Sequence, residues 1–449
     1  MKRLVALVFL LLLVPLTTGT GAAADRRIVF WTVEAEKDRV EVQNRLADDF
    51  RKRTGIAVQV VPVRENRLVQ RIMAAFAARS LPDVVFHPLD FTIGWAEAGI
   101  LDIQSAVRVL NHLDPGTFGR GPLDMVQARG GHAAVPVDGW GQLLLYRRDL
   151  FGPKSLAVPD HWAAILGAAG ALHRPPEVWG FEAATDPGQV YTQQVFEHFA
   201  LSNGVRLVGA DGRVDLDTPA MVETLEFYKS LAGFSPSGNL YWLHTRLDYL
   251  SGRAAMIVWS PFILDELSGL RRDQPVVPDL ARDNPGFLAK NTGFVSRIKG
   301  PAGGPAQYGQ VGYLGITVDA DRGSAEKWVE YLLSDGYLTW LGMAAEGKLP
   351  VRKGTADDPE RFVRGWKNLE FGVTTRARIS EFYGEETVRS IIAGVDEFDR
   401  WGFGRGKGAL VAKIYGTKVV PEVLKTFLDG RIDARQAART LDRKIKALE

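Results

Sequence analysis

The chain has 449 residues, 46% hydrophobic and 24% charged, the composition of a globular protein with a sizeable core. Two of its 55 Lys and Arg stand in the first 24 residues, which hold no Asp or Glu, so residues 25–449 carry 53 basic and 53 acidic side chains. That neutral balance argues against nucleic acid and anionic membrane as partners, and the absence of cysteine excludes disulfides, thiolate metal sites, cysteine nucleophiles and a lipid-anchored cysteine.

Lys2 and Arg3 open the chain, residues 4–16 are apolar apart from Pro15, and a small-residue stretch ends in Gly21-Ala22-Ala23-Ala24. This predicts a secretory signal peptide over residues 1–24, cut after Ala24, with an apolar stretch too short to span a bilayer as a mature helix. An exported chain without a lipid tether is expected in a Gram-negative periplasm. The remaining length allows two or three domains. Residues 28–32 (IVFWT) predict a buried strand, 38–53 an amphipathic helix ending at Thr54-Gly55, and 57–63 (AVQVVPV) a second strand. A helix over 67–79 and a third strand at 83–86 (DVVF) follow. Alternating strands and helices predict an α/β fold with a parallel sheet, whose ligands bind beyond the carboxyl ends of the strands. The segments after Trp31, Val63 and Phe86 are therefore the places to look.

The middle repeats the theme, with strands at 133–137 and 143–147 around Asp138-Gly139-Trp140-Gly141 and helices over 160–171, 189–201 and 218–231. A buried strand at 255–259 (AMIVW) enters a turn at Ser260-Pro261. A Gly/Pro-rich loop over 299–310 precedes a strand at 313–318, then helices at 323–333 and 336–346. The last hundred residues read as helices with Gly-rich connections. The 11 Trp, 11 Tyr and 22 Phe are a first hint of a stacking surface, although core packing is the commoner use of such side chains.

Catalytic and cofactor motifs are missing. The seven histidines form no HExxH or HxH pair, and residues 233–238 (GFSPSG) fail GxSxG at the last glycine. Residues 402–408 (GFGRGKG) fit neither phosphate-loop pattern and read as a flexible connection. No adjacent Tyr-Tyr pair of the kind ferric-ion binders use occurs. Glu34 and Glu36 form a carboxylate pair, but spacing alone does not make a glycosidase. The expectation is a protein that is not an enzyme and uses no cofactor or metal.

Six segments, taken in order, carry a resemblance: IVFWTVEAEKDRVEVQNRLADDFRKRTGIAVQV at the start, SLPDVVFHPLDFTIGWAEAGIL at 80–101, VPVDGWGQLLLYRRDLF at 135–151, GRAAMIVWSPFILDEL at 252–267, residues 324–352 ending in a Gly-x-x-Pro-Val-Arg crossing, and the helix over 429–448. The sequence resembles the extracellular solute-binding proteins of ABC importers, in the branch that includes the maltose-binding protein. The resemblance implies a two-lobed α/β fold, each lobe a mostly parallel sheet flanked by helices, with a ligand cleft between the lobes. It implies an N-lobe of 25–137 plus 312–347 and a C-lobe of 138–311 plus 348–449, joined by crossings near 136–141, 300–312 and 347–354. The implied partners are a small-molecule ligand and ABC permease subunits, for a protein working as a monomer.

By position in that fold, the residues facing the cleft are Glu34 and Glu36 after the first strand, His87 and Asp90 after the third, Trp140 from the first crossing, and Trp259 with Phe262 from the C-lobe turn. Phe262 falls where the maltose binder has a stacking Trp. Trp140, Glu36 and His87 replace an acidic, a basic and an aromatic residue, which departs from maltose while keeping a polar-plus-aromatic site. A sugar offers an apolar ring face to aromatics and hydroxyls to carboxylates and amides, so the expected ligand is a sugar, oligosaccharide or polyol. Each residue also has a plainer reading: Asp90 as the cap of a helix over 91–98, Trp140 as hinge packing, one of Trp259 and Phe262 as core, and the two glutamates as solvated. Trp95, Trp328 and Trp340 fall at helix positions and read as core, while Tyr191, Trp242, Tyr313, Arg352 and Tyr415 are further contact candidates. Three alternatives stay open: a polyamine drawn to Glu34, Glu36 and Asp90, a phosphorylated polyol held by cleft Arg or Lys, and a secreted glycoside hydrolase using Glu34 or Asp90.

Overall fold

The structure, a computed structural model, describes residues 26–271, 273, 284 and 286–449, so the signal peptide expected over 1–24 lies outside the described residues. The strands that position the site are β1 (Arg27–Thr32), β2 (Ala57–Pro62), β3 (Val84–Pro88), β4 (Val135–Gly141), β5 (Leu143–Arg147), β6 (Met256–Trp259), β7 (Thr292–Val295), β8 (Gln307–Ile316) and β9 (Phe398–Asp399). They form a six-stranded sheet in the order β9-β8-β3-β1-β2, with β4 also paired to β8, and a three-stranded sheet in the order β6-β5-β7.

The period-two alternation of β1 decides which layer each residue enters. Ile28 and Phe30 enter the larger core, while Trp31 joins a second cluster with Val85, Leu68 and Ile72. Helix Lys37–Thr54 covers the first face with Leu46, Ala47 and Phe50, and helix Glu65–Ala77 covers the other with Leu68, Ile72 and Ala75. Each fully buried side chain of this size contributes about 1.5–3 kcal/mol of transfer free energy. The first helix stops at Gly55, whose φ of 74° is left-handed backbone that glycine adopts without strain.

The β1–β2, β1–β3 and β8–β9 pairs are parallel, whereas β8 runs antiparallel to β3 and β4. The second sheet departs from the parallel expectation. Both of its pairs, β5–β6 and β5–β7, are antiparallel, and beside it stand isolated parallel bridges from Trp179 to Ala254 and from Glu182 to Ile257. A crossover helix is what makes neighbouring strands parallel; here β4 and β5 follow one another directly, and β5 then pairs with strands arriving from far along the chain. Helix Pro219–Ala232 packs on helices Trp162–Leu172 and Val190–Ser202, with Trp162 stacked on Phe227 at 3.9 Å.

Two further boundaries differ from the sequence reading. The loop expected over 299–310 ends early, because Gln307 and Tyr308 pair with Phe398 and Asp399 and extend β8. The helix expected over 336–346 divides into Tyr337–Leu341 and a 3-10 turn at Ala345–Gly347. Segments 135–141, 307–316 and 347–352 run side by side: β4 pairs with β8, Gly139 bridges to Leu349, and Phe118 bridges to Arg352. At Gly309 a Cβ would lie 2.3 Å from the Phe398 ring, so glycine lets that ring press on the strand.

Candidate functional site

The carboxyl ends of β1 and β3, the paired strands β4 and β8, and the turn after β6 converge on a cavity of about 410 Å³. In the β4–β8 register Trp140 faces Gln310 and Asp138 faces Gly312. Residues two apart on a strand share a face, which brings Asp138, Trp140, Tyr308 and Gln310 to the cavity together. Trp140 lies 6.3 Å from the Tyr308 ring and 6.4 Å from the Phe262 ring, edge to face in the second case. Phe262 is 41% exposed and rests on Gly347, where a Cβ would stand 2.0 Å from its ring.

Around this aromatic floor the charges are paired with one another. Lys348 is buried, with Nζ donating to Asp138 Oδ2 at 3.0 Å and to Glu34 Oε1, and it lies over the Phe86 and Trp340 rings. Arg39 Nη1 donates to the other oxygen of Glu34 at 2.5 Å. Burial alone would raise the Glu34 pKa, but Lys348 and then Arg39 overcome it and hold it down to about 2. Across the cavity Arg400 is buried with its guanidinium over the Tyr308, Phe403 and Tyr415 rings, each at 4.9 Å. It donates to Gln310 Oε1 and lies 3.8 Å from Asp90 Oδ1 and 3.9 Å from Glu197 Oε1. Gln310 Nε2 in turn donates to Asp90 Oδ2 at 3.2 Å. Glu65, also on the lining, is pushed above the usual carboxylate range by partial burial and then by Asp90 and Glu34.

Of the residues expected from sequence, Glu34, Asp90, Trp140 and Phe262 line this cavity. Asp90 is not a cap: helix Leu89–Glu97 starts after Pro88 with no side-chain cap, and the Asp90 carboxylate turns to Gln310 and Arg400. His87 does not face the cavity. Strand β3 runs to Pro88, so alternation puts Phe86 and Pro88 on the lining and His87 on the opposite face, between Trp95 and Tyr313. There burial pushes the imidazole down to about 4 and keeps it neutral. Glu36 immediately precedes helix Lys37–Thr54, is largely exposed, and lines an adjoining cavity with Arg64, Glu65 and Phe91. Trp259 is absent from the central lining and lies against Tyr191 at 5.2 Å and Trp242 at 6.5 Å.

Among the further candidates Tyr415 lines the cavity, whereas Tyr313 is core, donating to the Pro122 carbonyl. Arg352 holds the Leu113 and Leu333 carbonyls and is structural. Trp95, Trp328 and Trp340 are buried as expected. Sequence reasoning did not single out Arg39, Lys348, Gln194, Gln310 or Arg400. Lys348 sits inside the recognised Gly-x-x-Pro-Val-Arg crossing and Arg39 one turn past Glu34, which are the only local signals for any of them.

The family described as bacterial extracellular solute-binding protein matches residues 40–338. The chain is 26% identical over 410 residues to the Escherichia coli (strain K12) protein YcjN, whose name is that of an ABC transporter periplasmic-binding protein, covering 89% of this chain and 90% of that protein. Its fold is similar to that of the sugar-binding protein MalE from Xanthomonas citri, with TM-score 0.72 at 20% identity over 94% of this chain and 97% of the other. It is also similar to a cyclic alpha-maltosyl-1,6-maltose binding protein from Arthrobacter globiformis, with TM-score 0.70 at 15% identity over 94% and 98% of the two chains. These neighbours are two-lobed, and the arrangement of two sheets around one cavity follows theirs.

Proposed function

The chain belongs to the bacterial extracellular solute-binding proteins of ABC transporters, and we propose that its ligand is a neutral carbohydrate, a sugar, oligosaccharide or polyol, captured in the central cavity and passed intact to the permease. The observation that carries this reading is the self-neutralised lining. Glu34 and Asp138 are satisfied by Lys348 and Arg39, and Asp90 by Gln310 and Arg400, around the Trp140, Phe262 and Tyr308 rings. Such groups present fixed donors and acceptors to hydroxyls and ring faces to apolar C–H surface, with little net charge to recruit an ion.

The same pairing weighs against the alternatives. A polyamine needs several free carboxylates, whereas Glu34, Asp90 and Asp138 all face cations and Glu65 alone among the described residues of the lining does not; a phosphorylated polyol needs free cations, whereas Lys348, Arg39 and Arg400 already face acids. A glycoside hydrolase using Glu34 as its acid needs that carboxyl protonated, and Glu34 is held ionised. The proposal keeps the lobe division at 25–137 plus 312–347 and 138–311 plus 348–449, supported by the three adjacent segments that cross between the two sheets. Ligand touching both lobes favours the closed state by the contacts that only closure makes. Export to the periplasm and action as a monomer belong to the same proposal.

Calorimetric titration against sugars, polyols, spermidine and sorbitol 6-phosphate tests this reading. Binding of an uncharged carbohydrate that is recovered intact, lost in Trp140→Ala, is the expected result. Binding confined to spermidine or the phosphorylated polyol overturns the ligand class, and turnover overturns the transport role.

A further inference from the structure

A buried carboxyl lies behind the Phe262 side of the cavity with nothing to neutralise it. Phe262 belongs to the turn Pro261–Ile263, which leads straight into the single-turn helix Leu264–Leu267. The first of these packs on the turn Ala345–Gly347, where Phe262 rests on Gly347, and Phe262, Ala344 and Gly347 all line the cavity. In the lobe division proposed above, the two turns belong to different lobes. Asp265 is 1% exposed, and its Oδ1 has no hydrogen-bond partner.

The charged groups around Asp265 are other acids or cations already engaged. Glu346 acts on it from the Ala345–Gly347 turn and Glu266 from its own helix. Arg246 and Arg271 lie 3.0 and 3.7 Å from Glu266, and Arg271 is also 2.6 Å from Asp273. The Tyr383 hydroxyl donates to the Leu264 carbonyl. Lys290, on the helix Phe287–Asn291 packed against this one, and Glu370, on a short strand packed against Ala345–Gly347, are exposed. Among the described residues no cation forms an ion pair with Asp265. Burying an unpaired ion is costly, so a carboxyl in such a place keeps its proton. Burial, and then Glu346 and Glu266, push Asp265 up to about 7 from an ordinary 3.8.

We propose that Asp265 is a proton-operated latch of the cavity: neutral, it lets the Phe262 turn seat on the Ala345–Gly347 turn, and ionised, it weakens that seating and with it the hold on the Phe262 ring. The sign follows from which state holds the proton more tightly. A seated Asp265 keeps it up to about pH 7, whereas an unseated one, open to water, loses it near 3.8. Seating is therefore fully favoured below pH 3.8, weakens by up to about tenfold per pH unit from there to about 7, roughly a thousandfold in all, and is level above that. The protein would hold its ligand more tightly in acid surroundings than in neutral ones, whatever that ligand is.

Hydrogen exchange read by mass spectrometry at pH 4.5, 5.5, 6.5 and 7.5 tests this. Rates are divided by the chemical exchange rate at each pH, so that peptides covering 261–267 and 345–349 report the ratio of seated to unseated protein. In the parent, protection of both segments should fall together by up to about tenfold per pH unit. Asp265→Asn, neutral and of the same shape, should keep the acid-side protection at every pH. Glu346→Gln removes one repelling charge and should make the fall smaller; Glu346 is only half-buried, so this variant should keep the parent unfolding temperature. Glu182 titrates over an overlapping range, but all three proteins retain it, so its effect is common to them. Coincident profiles in the parent and Asp265→Asn overturn the inference, as does parent protection that is level or rises with pH. Should Asp265→Asn not fold, a Glu346→Gln profile identical to the parent's overturns it.

Discussion

Replacing Lys348 by Met tests the pairing logic of the site most directly. The side chain keeps its length and its apolar stem against Phe86 and Trp340, but the charge shared by Glu34 and Asp138 is gone. Both carboxylates are mostly buried, with 10% and 8% of their side-chain surfaces accessible, and only Glu34 retains a cation, Arg39. Breaking a buried pair by removing one partner costs about 3–5 kcal/mol. For a chain of this length the unfolding entropy is about 0.9 kcal/mol/K, from roughly 2.1 cal/mol/K per residue, so thermal unfolding should fall by about 3–5 °C. A second readout is pH. In the parent protein the Glu34 pKa lies at about 2, against an ordinary 4.5. The depressed value gives stability present above pH 4.5 and lost as pH falls toward 2, about 3 kcal/mol in all. Lys348→Met should shrink that acid-side loss, and Glu34→Gln should abolish its Glu34 component. Denaturant titrations from pH 3 to pH 7 give both quantities. An unfolding temperature within 1 °C of the parent, with an unchanged acid limb, would refute the view that Lys348 organises the site.

Three further outcomes follow from single contacts. Gly347→Ala puts a Cβ 2.0 Å from the Phe262 ring; displacing the ring should cost about 1–3 kcal/mol and lower ligand affinity, and calorimetry showing no affinity change would mean the ring is not part of the binding surface. Glu182 is buried, and burial followed by the nearby Asp248 pushes its pKa up to about 9. Folding therefore loses stability as pH rises from 4.5 to 9, and Glu182→Gln should flatten that slope in urea titrations at pH 5, 7 and 9, with a parallel slope counting against it. Arg400→Met strands the fully buried Glu197 with only the Trp401 amide and the Tyr415 hydroxyl, and removes a partner of Asp90. It should lower stability by about 3–5 kcal/mol; Arg400→Lys should recover only part, because one ammonium cannot reproduce the fork that reaches Gln310, Asp90 and Glu197, and full recovery in thermal unfolding would contradict this.

What the sequence made legible depended on whether a residue's place follows from local periodicity. The first strand, helix and second strand are each specified by short-range patterns, as is the capping glycine at 55, whereas Trp140, read as part of a link, lies on a strand that runs on to Gly141. His87 failed for a small reason with a large effect. The third strand was read to residue 86 but continues to Pro88, and in a period-two element that turns the imidazole from the cavity to the core. Arg400 was beyond reach, since its segment reads as a Gly-rich connection. Its pairing to β8 is a contact between residues some 90 positions apart that no window of sequence reports.

The charges of the site connect these two classes of residue. Glu34 and Asp90 were visible from sequence as acids beyond the ends of strands, and with Glu36 they kept a cationic ligand open as an alternative to a carbohydrate. Lys348 and Arg400 reach them from distant segments, 314 residues from Glu34 in one case, and weigh against that alternative by pairing with the acids before any ligand arrives. Both cations are attached to the crossing region, Lys348 beside the Gly139–Leu349 bridge and Arg400 beside the β8–β9 pair. The groups that set the polarity of the cavity are thus fixed to the segments about which the proposed lobes would move. In the proposed lobe division Glu34 and Asp90 lie in one lobe and Lys348 and Arg400 in the other, so these pairs tie the lobes together beside the crossing segments, and ligand contact from both sides would add to them in favouring the closed population.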